Sequence, residues 1–170
     1  MTVIPTLETE RLILRPLRSE DFEEYEAFYQ TERSHVRGGP LARDEAWRQF
    51  ATEIGHWHLR GYGPWAIEEK ATGAFCGLVS LWYPEGWPAP EVGWVVWAQH
   101  EGKGIAYEAA VRARAYAFDS LDWPQVASCI RDGNTRSIRL AERLGATLDR
   151  RIERSGLPDF LVYLHPQPET

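Results

Sequence analysis

The stretch "EVGWVVWAQHEGKGIAYEAAVRARAYAF", Glu91 to Phe118, decides the fold. Its opening, "EVGWVVW", has the β-branched and aromatic character of a buried strand. Two glycines, Gly102 and Gly104, then run directly into an alanine-rich helix predicted from about Gly104 to Phe118. A strand that feeds a helix through such a turn leaves backbone N–H groups pointing into one concavity, with the positive end of the helix dipole behind them. That is an anion site. Glycine lets a phosphate approach the backbone and makes positive φ inexpensive. Ala106, Ala109 and Ala110 let the helix pack close to the sheet.

Two familiar phosphate loops are excluded by spacing. A dinucleotide fingerprint needs a third glycine where Tyr107 stands, and a P-loop needs Ser or Thr where Gly104 follows Lys103. An ATP- or NAD-binding reading of the glycines fails on the same grounds.

Working outward, "RLILRPL" alternates like a half-exposed strand ended by Pro16, and Ser19 is placed to cap the helix "EDFEEYEAFY". From Asp44 to Arg60, Trp47, Phe50, Ile54 and Trp57 recur at steps of three or four, one face of an amphipathic helix that Gly61 and Gly63 stop. "PWAIEEKATGAFCGLVSLW" reads as two strands joined at "KATG", with Gly73 free to take positive φ, and the loop "YPEGWPAP" follows. After the glycine turn come a strand "QVASCI", a helix "NTRSIRLAERLG" ending on Gly145, and a closing antiparallel pair, "ATLDRRIE" and "DFLVYLH". The fold class is therefore α+β, or mixed α/β, with about seven strands and about four helices.

The 170 residues suit one domain, 1–170, with a core of its own and no repeat or linker. No basic and apolar leader and no membrane-length apolar run is read, so the expectation is a soluble cytoplasmic protein. The net charge of −6 argues against a nucleic-acid face and suits a cationic substrate weakly. Eight Trp are many for this length, and some are expected to line a pocket. Cys76 and Cys129 lack metal or redox spacing and read as reduced core thiols. His56 and His58 share no metal-binding face, and no metal is expected.

The pattern Gln99-x-x-Gly102-x-Gly104-x-Ala106 resembles the pyrophosphate loop of the GNAT N-acyltransferase superfamily. "LETERLILRPLRSEDF", "WAIEEKATGAFCGLVSL" and "NTRSIRLAERLGA" resemble other parts of that family in the right order, in the branch of the ribosomal-protein N-alanine acetyltransferases. The resemblance covers nearly the whole chain and implies a central, mostly antiparallel sheet. It implies acetyl-CoA as cosubstrate, with its pantetheine arm in a gap between splayed fourth and fifth strands, against the backbone of Trp94, Val95, Val96 and Trp97. The pyrophosphate would sit on the amides from His100 or Glu101 through Gly102, Lys103 and Gly104 to Ile105, in the cofactor-binding loop that Gln99 opens and Ala106 closes. The implied reaction is direct attack of a neutral amine on the thioester through a tetrahedral intermediate. The acceptor is then a small-molecule amine or a peptide N-terminus, with a homodimer as a possible assembly.

The resemblance also places an acid, here Glu91, near the acceptor, where it orients the amine or takes its proton. The plain alternative is an exposed strand-end carboxylate. It gives Asn134 a contact with the pantetheine arm, although Asn134 is equally a helix N-cap. Many relatives carry a Tyr as proton donor to the thiolate where this chain has Ala141, and Ser137 is the substitute the branch implies. Loss of that Tyr favours the competing reading, a non-catalytic acyl-CoA-binding or sensing module. The loop "YPEGWPAP" and the helix carrying Trp47, Phe50 and Trp57 are expected to form the acceptor side.

Overall fold

The computed structural model describes residues 2–169. Eight strands form one sheet: β1 (Leu7–Glu8), β2 (Leu12–Arg15), β3 (Pro64–Glu69), β4 (Phe75–Trp82), β5 (Glu91–Val96), β6 (Ala127–Arg131), β7 (Thr147–Ile152) and β8 (Phe160–Leu164). Four α-helices accompany them: α1 (Phe22–Tyr29), α2 (Arg43–Arg60), α3 (Ile105–Asp119) and α4 (Thr135–Arg143). The sheet order is β1-β2-β3-β4-β5-β6-β8-β7. The strand beyond the expected seven is β1, a two-residue extension paired to β2, too short to leave a period in the sequence.

Every neighbouring pair is antiparallel except β5 and β6. That parallel pair has a single register match, Glu91 with Ala127, after which no strand among the described residues pairs with the β6-facing edge of β5. The sheet is thus two ladders joined at one end and open at the other.

Strand alternation sends the side chains of β5 to opposite faces. Val92 joins Leu12, Leu14, Val79 and Leu81 beneath the small residues Ala109, Ala110, Ala113 and Ala117 of α3. Val95 joins Phe22, Tyr25, Phe28 and Phe50 from α1 and α2. Each fully buried Leu or Val in such a layer contributes about 1.5–3 kcal/mol. The second ladder has its own cover, where Ala141 of α4 packs among Ile130, Leu161 and Tyr163.

Two local expectations are corrected. Ser19 does not cap α1; its hydroxyl turns to Glu20, and the Asp21 carboxylate accepts the Arg18 amide at 2.8 Å while pairing with Arg15. The charged carboxylate pairs with the Arg15 guanidinium as well as with the amide, an ion pair that a neutral hydroxyl cannot make. On α2 the buried face is Ala46, Phe50, Glu53 and Trp57, and Trp47 is 57% exposed. Ala46 packs close enough to lead the stripe, which turns its bulky neighbour outward.

Candidate active site

Where β5 and β6 part, a chain of hydrogen bonds pins the junction. Arg114 donates to His165 Nδ1 at 3.1 Å, His165 Nε2 lies 2.8 Å from Ser128 Oγ, and Ser128 Oγ donates to the Val92 carbonyl at 2.6 Å. A guanidinium only donates, so Nδ1 accepts and Nε2 carries the ring hydrogen toward Ser128. Burial, with Arg114 adding to it, pushes His165 down to about 4. The ring is therefore neutral at pH 7, as the chain requires. Above the junction opens a cavity of about 1240 Å³, walled by β5, β6 and the first turns of α3 and α4.

Glu91 stands at the floor of this cavity. It is only 7% exposed, so the reading of it as an exposed strand-end acid is overturned. One carboxylate oxygen accepts the Cys129 amide at 2.8 Å and the other the Trp87 indole N–H at 2.9 Å. Burial pushes its pKa up to about 7, against the opposing pull of those two donors. A carboxyl poised there exchanges a proton readily at neutral pH. Burial and the negative charge of Glu91 push the Cys129 thiol up, so it stays protonated.

At the opposite end, the chain leaves β5 through a short 3₁₀ turn, Ala98–His100, and reaches α3 through Gly102 and Gly104, both at φ 75°. Both glycines are in the left-handed region, which the alternating turn needs and other residues resist. Nothing lies within 4 Å of a Cβ built on Gly102, so what calls for glycine there is the backbone shape, and the space above it is open. Glu101, just before them, bridges two cations: Arg33 and, at 2.7 Å, Arg136 on α4. Arg139 and Arg143 of α4 line the same wall, with the Arg143 guanidinium 5.1 Å from the Tyr107 ring. Helix N-termini and arginines thus meet at one rim, a donor set fitted to a phosphate-bearing ligand.

Asn134 caps α4, its side chain accepting the Ser137 amide at 3.4 Å. Both residues line the cavity. Ala141 does not; it is fully buried under α4.

Of the residues singled out in the sequence, Glu91, Trp94, Val95, Val96, His100, Glu101, Gly102, Gly104, Ile105, Ala106, Asn134 and Ser137 share this one cavity wall. Trp97, Gln99 and Lys103 are not on it. The Trp97 amide continues the sheet onto the Cys76 carbonyl at 2.8 Å, and its ring is buried between Phe28 and Phe75. Gln99 is exposed, and the Lys103 carbonyl is tied to Arg11 at 2.8 Å.

Where the acceptor side was expected, α2 lines the cavity with Gln49 and Thr52, not Trp47, Phe50 or Trp57, while Trp82, Pro84 and Trp87 come from β4 and the following loop. Sequence reasoning missed the arginines of the wall. Arg136, Arg139 and Arg143 recur at helical spacing on α4 and were open to detection. Arg33 and Arg37 lie in a 3₁₀ segment, Glu32–Arg37, whose short span carries no periodic signal.

A sequence profile of the Acetyltransferase (GNAT) domain matches residues 11–147. The chain belongs to the GNAT acetyltransferase family. Among solved structures, this GNAT chain resembles the acetyltransferase from Agrobacterium tumefaciens str. C58, with a TM-score of 0.89 and 40% identity over 97% of this chain and 96% of that one. In Bacillus subtilis (strain 168) it is 34% identical to the uncharacterized protein YkkB over 111 residues, 61% of this chain and 64% of YkkB. It is also 35% identical over 74 residues to YdaF of that organism, which bears the name of a ribosomal N-acetyltransferase, covering 43% of this chain and 40% of YdaF. These alignments span less than two thirds of either Bacillus protein. No helix among the described residues of this GNAT chain is long and apolar enough to cross a membrane.

Proposed function

We propose that this protein is an acetyl-CoA-dependent N-acetyltransferase that acts on a primary amine or N-terminal α-amine. The observation that carries the reading is the buried Glu91 carboxyl, held near pKa 7 on the floor of a cavity whose other end is a glycine-turned anion rim. Family membership supports the acetyl donor. When bound, acetyl-CoA supplies an activated acetyl group on a thioester.

The residues fit that donor. Gly102 opens onto free space and Gly104 meets only the tip of Arg11, 3.4 Å from a Cβ built there, while the unpaired edge of β5 offers backbone groups to an extended arm. Arg33, Arg136, Arg139 and Arg143 surround the rim with positive charge. Glu91 draws the protonated amine to the cavity floor and takes its proton, directly or through a water, so that the amine attacks in neutral form. Ser137, half-buried on the wall with no hydrogen bond from its hydroxyl to the described residues, supplies a proton to the departing thiolate. Ala141 cannot do this, having no donor and no access.

The test is release of free CoA thiol when the protein and acetyl-CoA are offered a panel of amines. Turnover with at least one amine, abolished by omitting the amine, supports the reading. Tight acetyl-CoA binding with no release across the panel would assign the fold to a binding or sensing role instead.

A further inference from the structure

The acceptor end of the cavity holds a cation that the protein leaves without a carboxylate. Arg131, at the end of β6, donates to the His35 carbonyl at 2.7 Å and makes no salt bridge among the described residues. Asp132, next to it in the chain, and Asp159, next to its strand partner Phe160, are already engaged, since Arg151 binds Asp132 at 2.6 Å and Asp159 at 3.0 Å. Its cationic neighbours are otherwise occupied: Arg37 is answered by the buried Glu53 at 2.6 Å, and Arg154 lies over the Phe160 ring at 3.7 Å. Burial and the like charges of Arg154 and Arg37 lower the pKa of Arg131, the mark of a guanidinium short of negative charge. Arg131 lines the cavity.

The same residue is geometrically tied to Glu91. Cys129, whose amide holds the Glu91 carboxylate, precedes Arg131 by two positions on β6, so the two share a strand face about 7 Å apart. Arg131 is directly opposite Phe160 on β8, and the Phe160 ring meets Trp87 at 5.1 Å, the indole that binds the other oxygen of Glu91. An acid and an unanswered cation therefore flank one short aromatic wall, a surface shaped for a molecule with an amine at one end and an oxyanion at the other.

Resting on the N-acetyltransferase reading, we propose that the acceptor is a small amino acid-like zwitterion: its amine is taken at Glu91, its carboxylate at Arg131, and its apolar body lies against Trp87 and Phe160. A bidentate guanidinium–carboxylate pair would replace the charge that Arg131 lacks.

Matched acceptors test this: phenylalanine against phenethylamine, tryptophan against tryptamine, and a peptide amide with a free N-terminus but no nearby carboxylate. Wild type is expected to prefer the free acids by about tenfold or more in kcat/KM, in line with a charge-assisted hydrogen bond. Arg131→Gln should erase that preference through the acceptor KM, with the acetyl-CoA KM unchanged, and Arg131→Lys should restore part of it. Equal or better use of the decarboxylated amines or the peptide amide by wild type would overturn the proposal, as would a preference that survives in Arg131→Gln. If no amine releases CoA while acetyl-CoA still binds, the enzyme reading fails on its own. Calorimetry with phenylalanine then decides the subsite: binding to wild type lost in Arg131→Gln supports it, and no binding, or equal binding to both, overturns it.

Discussion

The Glu91 carboxylate accepts the Cys129 amide at 2.8 Å across the gap that opens between β5 and β6. The last paired residues of that parallel contact are Glu91 and Ala127, so the side chain closes the ladder just where its backbone stops. A single carboxyl thereby marks the floor of the cavity, holds the two strands at their fork and carries a titratable proton. The cost of this placement is desolvation, and it should be visible in stability.

The Glu91 pKa is raised from 4.5 to about 7, so the folded protein holds this proton over a pH range in which the unfolded chain has lost it. For a raised carboxyl the stabilisation is complete below pH 4.5 and is lost as pH climbs toward 7. Glu91→Gln removes that dependence. Between pH 5 and 8 the variant is expected to gain on wild type by up to roughly 3 kcal/mol, from 1.36 kcal/mol per pKa unit. Denaturant unfolding of both proteins across this range checks it, and a difference independent of pH would show that Glu91 titrates normally.

Ser137→Ala is expected to lower kcat about ten- to a hundredfold, within the range for a lost proton donor, while leaving the acetyl-CoA KM nearly unchanged. The donor is needed only as the thiolate departs. Steady-state kinetics with the best acceptor decide it; an unchanged kcat would leave Ser137 as a first-turn residue of α4.

Glu101 ties Arg33 to Arg136 at the rim where the phosphates would lie. Its negative charge opposes theirs. Glu101→Gln should tighten acetyl-CoA about two- to fivefold, the range for a partly exposed ion pair, and steepen the salt dependence of binding. Isothermal titration showing weaker binding would mean that Glu101 orients the arginines rather than masks them.

Gly77 of β4 sits at φ 151°, where an added Cβ would fall 2.1 Å from the Val95 carbonyl oxygen. The close atoms, Val95 and Val96, are β5 backbone, which cannot swing aside as a side chain would. Gly77→Ala is expected to cost about 2 kcal/mol or more by forcing β5 away from β4 beside the cleft. Urea unfolding measures this directly, and a variant as stable as wild type would contradict the close approach.

Much of this architecture was legible because it rests on local rules. Gly102 and Gly104 announce a left-handed turn, and Ala109, Ala110 and Ala113 announce close helix–sheet packing; both are visible one residue at a time. What escaped was set by distant partners. Nothing near Trp47 in sequence says that Ala46 is the residue buried against α1, and nothing near Arg131 says that Asp132 and Asp159 are consumed by Arg151. The burial of Glu91 likewise depends on Trp87 and Cys129 closing over it, whereas strand position alone allows an exposed end.

The most direct test of the account is the pH profile of kcat/KM, measured with the best acceptor for wild type and Glu91→Gln. Wild type should rise through a limb near pH 7, where Glu91 loses its proton, in addition to any limb from the amine itself. The variant should be slower by roughly ten- to a thousandfold and lack that limb, with acetyl-CoA affinity nearly unchanged. A Gln variant that matches wild type at neutral pH and keeps the same limb would contradict the assignment of Glu91 as the proton acceptor.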